Sequence, residues 1–271
     1  MRAENRTFWT SLAVAFLIAG AQSTTPLVAA VAPSLGSAHP FTVLATNGIP
    51  TSGTVTCTNS TIDGDVGSTF NSITNVGCTI TGSVSAPIAG SVVADFDDAY
   101  SQLDSLNPVC DDVIPIVTTT LAPGVYCSDA GTTFGAGVIL TLDGDASDVW
   151  VFRVGTSGFG ALTGNSFQVV MGGDALPCNV YWRTAEAATL TSSSFTGTIL
   201  AGTAVTVTGG DFLGRALAST DVTVTDVASM TFAGCASDSV LAIPALSTWG
   251  TLLLGAILAL FGVAAIRKQT T

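Results

Sequence analysis

The stretch "TAVTVTGGDFLGRALASTDVTVTD", residues 203–226, carries Thr-Val-Thr twice, seventeen positions apart. Just upstream, "ATLTSSSFTGTILA" (188–201) supplies another Thr-apolar-Thr at Thr189, Leu190 and Thr191. Sliding the region from about 182 onward by seventeen positions aligns much more than threonine. Phe195 falls on Phe212 and Gly197 on Gly214, while Leu190, Val207 and Val224 form one apolar column and Trp182, Ile199 and Ala216 another. A fixed period of this size with strand-like alternation is the signature of a β-solenoid. One coil cannot bury its own inner face, so stacked coils share a core.

Within each Thr-apolar-Thr strand the middle residue points to one side and both threonines to the other. With the apolar column inside, the threonines form an outward grid, about 7 Å apart along a strand and about 4.8 Å apart between strands. Threonine is stiff at χ1, so the grid is expected to be flat and ordered.

Elsewhere the period breaks. "SVVADFDDAYSQLDSL" (91–106) places Val92, Phe96, Ala99, Tyr100, Leu103 and Leu106 at helical spacing, which predicts an amphipathic helix lying along the solenoid and covering one face. Asp95, Asp97 and Asp98 fall in its N-terminal half, where the macrodipole favours acids. Strand-like segments precede and follow it, and the first of them, from residue 41, are expected to supply coils at one end.

Residues 1–21 read as a secretory signal peptide: Arg2 and Arg6, an apolar run and the small residues Ala19-Gly20-Ala21. A linker is assigned to 22–40, the solenoid domain to 41–235, a second linker with a sorting motif to 236–250, and an apolar span with a basic tail to 251–271. Leu252–Ile266, closed by Arg267 and Lys268, is nearly long enough to cross a bilayer and implies a membrane tether. Between 22 and 242 only Arg153, Arg183 and Arg215 oppose eighteen acidic residues, a balance that argues against nucleic acid or anionic lipid as a partner.

Cys57, Cys78, Cys110, Cys127, Cys178 and Cys235 all lie in the exported part and suggest disulfides. Sequence does not choose among their connectivities; sequential pairing, 57–78, 110–127 and 178–235, is the expectation because it closes loops within local segments. No CxxC occurs and His39 is the only histidine, so no metal site or other cofactor is expected.

Several motifs, in order, resemble the microbial ice-binding-protein family: "FTVLA" (41–45), "IDGDVG" (62–67), the helix, "LAPGVY" (121–126), "LDGDASDVWVFRVG" (142–155), "CNVYW" (178–182), "FTGTILA" (195–201), "GRALA" (214–218) and "VTVTD" (222–226). The resemblance implies a mainly β fold, a discontinuous right-handed β-solenoid with one long α-helix packed alongside. It also implies adsorption to an ice surface through a flat, Thr-rich face, with Thr189, Thr191, Thr203, Thr206, Thr208, Thr223 and Thr225 as the contacting residues. Thr203-Ala204-Val205-Thr206 fits the Thr-Ala/Gly-x-Thr/Asn pattern of some members, whereas Glu186 and Asp221 fall in the neighbouring repeats, where charge should interrupt ordered water. Weak or moderate activity is therefore expected.

The tail is similar to IPTL-type sorting tails of Gram-negative bacteria, on Ile243, Pro244, Leu246, Trp249 and Gly250, with Ala245 in place of the usual Thr. That similarity implies processing by an exosortase-like enzyme and delivery to the cell surface. A non-ice adhesin or structural solenoid is the alternative reading. A polysaccharide-active β-helix enzyme fits less well, since one histidine leaves no nucleophile–base pair. "DGDASD" (143–148) opens like a calcium loop but has Asp148 where Gly is needed and Val154 where Glu is needed, and reads as a turn.

Overall fold

The computed structural model describes residues 30–46, 53–70, 73–105 and 110–232. Its strand pairs are parallel, and the strands fall on three faces visited in the same order around each coil. The threonine face stacks Thr132–Phe134, Leu162–Asn165, 188–191, 205–208, Val222–Thr225, Val55–Thr58 and Ile73–Val76. A middle face stacks Thr119–Leu121, Ile139–Gly144, Gln168–Gly173, 194–196, 211–213, Ser229–Thr231, Thr61–Asp63 and Thr79–Ile80. The third face stacks Asp112–Val113, Gly124–Ser128, Trp150–Val154, Val180–Thr184, 198–201, 215–218, Phe41–Ala45, Asp65–Ser68 and Val84–Ser85.

The stacking order is not the chain order. The first coils run from residue 41 to one end of the stack at Val84–Ser85; the chain then restarts at the opposite end with Asp112–Val113. Coils laid down from there advance until Val222–Thr225 and Ser229–Thr231 meet Val55–Thr58 and Thr61–Asp63. One coil is thus assembled from both segments: its threonine and middle faces come from 222–231 and its third face from Phe41–Ala45. The expected discontinuous solenoid has this form.

The connection between the two ends is α1, Gly90–Ser105, against the expected 91–106. Leu106 lies outside the described residues. Val92, Phe96, Ala99 and Leu103 are buried on the third face against its outward residues Leu44, Val125, Val151, Tyr181, Leu200 and Leu217. Neighbouring residues of the same strands, such as Val43, Ala45 and Trp182, point inward to the coil core. This two-sided burial explains why "FTVLA" and "WVFRV" are continuously apolar rather than alternating. Burying each Val, Phe or Leu of the helix contributes roughly 1.5–3 kcal/mol, which holds α1 as a lid over that face. The segment before it joins in: Leu35 and Ala38 are buried in the same cluster, and Ser37 N–H donates to Asp95 (2.6 Å). The domain therefore begins before residue 41, inside the stretch assigned to the linker.

Inside the coils, aromatic rings stack from level to level, with Phe152 on Trp182 at 3.8 Å, Phe134 on Phe167 at 4.7 Å and Phe195 on Phe212 at 5.1 Å. Each Trp of this core satisfies its indole N–H on a backbone carbonyl, Trp150 on Leu121 and Trp182 on Thr196. Disulfides Cys57–Cys78 and Cys110–Cys127 form as expected. Cys178 is also disulfide-bonded; Cys235, its expected partner, lies outside the described residues. The "DGDASD" segment is a strand end and turn, closed by Asp148 N–H on Asp145 O and Asp145 N–H on Asp148 Oδ2.

Candidate functional site

The threonine face is built from residues upward by one rule, apolar side chains inward and threonines outward. Val55, Cys57, Leu162, Leu190, Val205, Val207, Val222 and Val224 are buried and fix each strand to the core. Between them the in-register partners form an unbroken column of seven threonines: Thr133, Thr163, Thr189, Thr206, Thr223, Thr56 and Thr74. A second column runs Asn165, Thr191, Thr208, Thr225, Thr58 and Val76. At the usual strand spacing the longer column spans roughly 29 Å, with the two columns about 7 Å apart.

The residue after the second column turns the chain the same way in every coil. Ser166, Ser192, Gly209, Asp226, Asn59 and Gly77 all have positive φ, between 47° and 76°. Such residues cost little only when Gly, Asn, Asp or a hydrogen-bonded small side chain supplies them. Their alignment ends each strand at the same point and keeps the grid's edge straight.

Six of the sequence-predicted residues, Thr189, Thr191, Thr206, Thr208, Thr223 and Thr225, lie in these two columns. Thr203 does not; it is exposed at the corner leading into the 205–208 strand, two residues before it. Sequence reasoning missed Thr56, Thr58, Thr74, Thr133 and Thr163. The signal for two of them was present in "TVTCT" (54–58), which repeats the Thr-apolar-Thr alternation. Ile243, Pro244, Leu246, Trp249 and Gly250 lie outside the described residues.

Charge is kept away from the grid. The three arginines of the described residues all sit on the helix-covered face. Arg153 and Arg183 reach Asp104 of α1 at 3.4 and 2.9 Å, and Arg183 lies over the Tyr100 ring at 4.7 Å. Arg215 donates from Nε to His39 O (3.0 Å) and packs over Phe232. Near the grid stand only acids. Glu186 is exposed and accepts one bond, from Gly160 N–H at 3.0 Å. Asp221 is half-buried, and its Oδ1 accepts from Gly53 N–H (3.3 Å), Thr54 N–H (3.1 Å) and Thr54 Oγ1 (2.8 Å). Burial pushes the Asp221 carboxyl up, but the bonds from Thr54 and Gly53 outweigh it and hold the group below its ordinary value. Among the described residues no cluster of three or more metal-ligating side chains occurs.

A flat, uncharged, in-register threonine grid on a helix-lidded discontinuous solenoid defines a class of protein, and the family comparison agrees. The chain belongs to the ice-binding-like family, whose model matches residues 43–229. An IPTL-CTERM motif matches residues 242–268. The chain is similar to an ice-binding protein of Flavobacterium frigoris, 36% identical over 88 residues that make up 32% of this chain and 30% of the relative. It is also similar to ice-binding protein 1 of Shewanella frigidimarina, 30% identical over 215 residues, covering 65% of this chain and 23% of that protein. The chain thus spans less than a third of the length of these curated relatives. Among solved structures, an ice-binding protein from an Antarctic biological consortium superposes with a TM-score of 0.66 at 29% identity, covering 75% of this chain and 93% of that one. The ice-binding protein of the Antarctic ascomycete Antarctomyces psychrotrophicus gives 0.64 at 28% identity, covering 74% and 98%.

Proposed function

We propose that this protein adsorbs to ice through the threonine face, as an exported protein displayed at the cell surface. The observation that carries the reading is the column of seven stacked threonines, flanked by a second column of Asn165, four threonines and Val76, with no charged side chain in either. Methyl and hydroxyl groups repeated at strand spacing can order a water layer that merges with a lattice. Each contact is weak, but the core already fixes the side chains, so little ordering cost remains at binding. The IPTL-CTERM motif at 242–268 supports export and handling by a sorting enzyme at the membrane, with the apolar span as a tether at least until that step.

The test is ice-affinity partitioning of residues 22–242 beside a Thr206→Tyr, Thr223→Tyr double variant. Wild type should enter growing ice and the variant should remain in the liquid. Both remaining in solution removes the reading. Equal entry of both moves the contact to another face.

A further inference from the structure

The threonine column is not supplied by one run of chain. Thr133 to Thr223 come from the later segment and Thr56 and Thr74 from the first, and the two meet where Val222–Thr225 pairs with Val55–Thr58. Everywhere else on this face, consecutive coils are joined covalently, but here only packing and hydrogen bonds hold the register. At the position two residues before the first threonine column, the continuous coils carry Ala161, Ala187 and Ala204. At the joint that position changes character: Asp221 on one side and Thr54 on the other. The Asp221 carboxylate takes the Gly53 and Thr54 amides and the Thr54 hydroxyl, while Val222 N–H donates to Thr54 O (3.0 Å). Polar pairs recur around the same joint, Asn59 Nδ2 on Asp226 (3.3 Å) and Thr231 Oγ1 on Asp63 (3.2 Å).

From this geometry we infer that Asp221 is a positioning residue, a clasp that fixes the first coils onto the last and so brings Thr56, Thr58 and Thr74 into register with the rest of the face. It rests on the ice-binding reading, and it reverses the sign expected from sequence. A hydrated carboxylate beside the grid should interrupt ordered water, so its removal should help. A carboxylate spent on three donors should be missed. Its lowered proton affinity accords with the second case.

The experiment compares the exported protein with Asp221→Ala and Asp221→Asn, reading amide hydrogen exchange at 54–58 and 73–76 together with uptake into ice. Alanine removes the acceptor; asparagine keeps an oxygen in place and removes the charge. For Asp221→Ala, exchange at those amides should rise about tenfold or more, and ice uptake should fall by at least about half as the outer rows lose register. Asp221→Asn should restore both close to wild type. Unchanged exchange in Asp221→Ala overturns the clasp, and so does greater ice uptake in either variant. If wild type fails to enter ice, the binding reading falls by itself, and exchange in the two variants still decides whether Asp221 clasps the joint.

Discussion

At the scale of single residues, the two acids nearest the threonine face differ in how much of their charge is committed. Glu186 is exposed and accepts one bond, so most of its hydration shell faces the water that the grid would organise. Glu186→Thr should therefore raise ice uptake or thermal hysteresis, measured against wild type at equal concentration. Asp221 leads to a different expectation, in pH. Its folded proton affinity is lowered, so the folded state binds fewer protons than the unfolded chain as pH drops. The stability this group supplies is present above its ordinary value near 3.8 and is lost as pH falls through its depressed one. Thermal unfolding followed from about pH 5 to pH 2.5 should lose stability more steeply in wild type than in Asp221→Asn.

At the scale of elements, α1 is the piece that makes a discontinuous stack possible, since it carries the chain from one end to the other. Phe96 is 1% exposed beneath it. Phe96→Ala should cost about 3–5 kcal/mol in urea unfolding, and detachment of the helix would uncover Leu44, Leu200 and Leu217. Both this helix and the seventeen-residue period were legible in sequence, for physical reasons. The helix shows a clean apolar stripe at Val92, Phe96, Ala99 and Leu103, and its boundaries differ by one residue. The coils between 188 and 225 contain no insertions, so Thr189, Thr206 and Thr223 repeat evenly. Thr163 lies 26 positions before Thr189 and Thr133 lies 30 before Thr163, because longer loops separate those strands, and an even slide passes over them. Thr56 was hidden for another reason. Its neighbour in the stack, Thr223, is far away in sequence, and no local periodicity can report a contact made by docking separate segments. The same nonlocality concealed Asp221, whose partners Gly53 and Thr54 belong to the first coils.

At the scale of the whole molecule, a stack of parallel coils is weakest at its two ends, where the last strands have a neighbour on one side only. The two disulfides seen in full lie there. Cys57–Cys78 joins the two outermost coils on one side, and Cys110–Cys127 joins the first strand of the other end to the next level. Closing loops of 21 and 17 residues in the unfolded chain should contribute about 3 kcal/mol each. Replacing Cys57 and Cys78 together by Ser should lower stability by about that amount and speed exchange in 73–85 while the middle coils stay protected. Arg215, Phe232 and His39 mark a last consequence. Phe232 closes the described chain at the vertex between the middle face and the helix-covered face, with its ring 5.9 Å from His39 and against the Arg215 guanidinium. In a three-sided coil that vertex is opposite the threonine face. A leash attached to the chain beyond Phe232 would therefore pull on the back of the solenoid, leaving the threonines directed outward from whatever wall holds the leash.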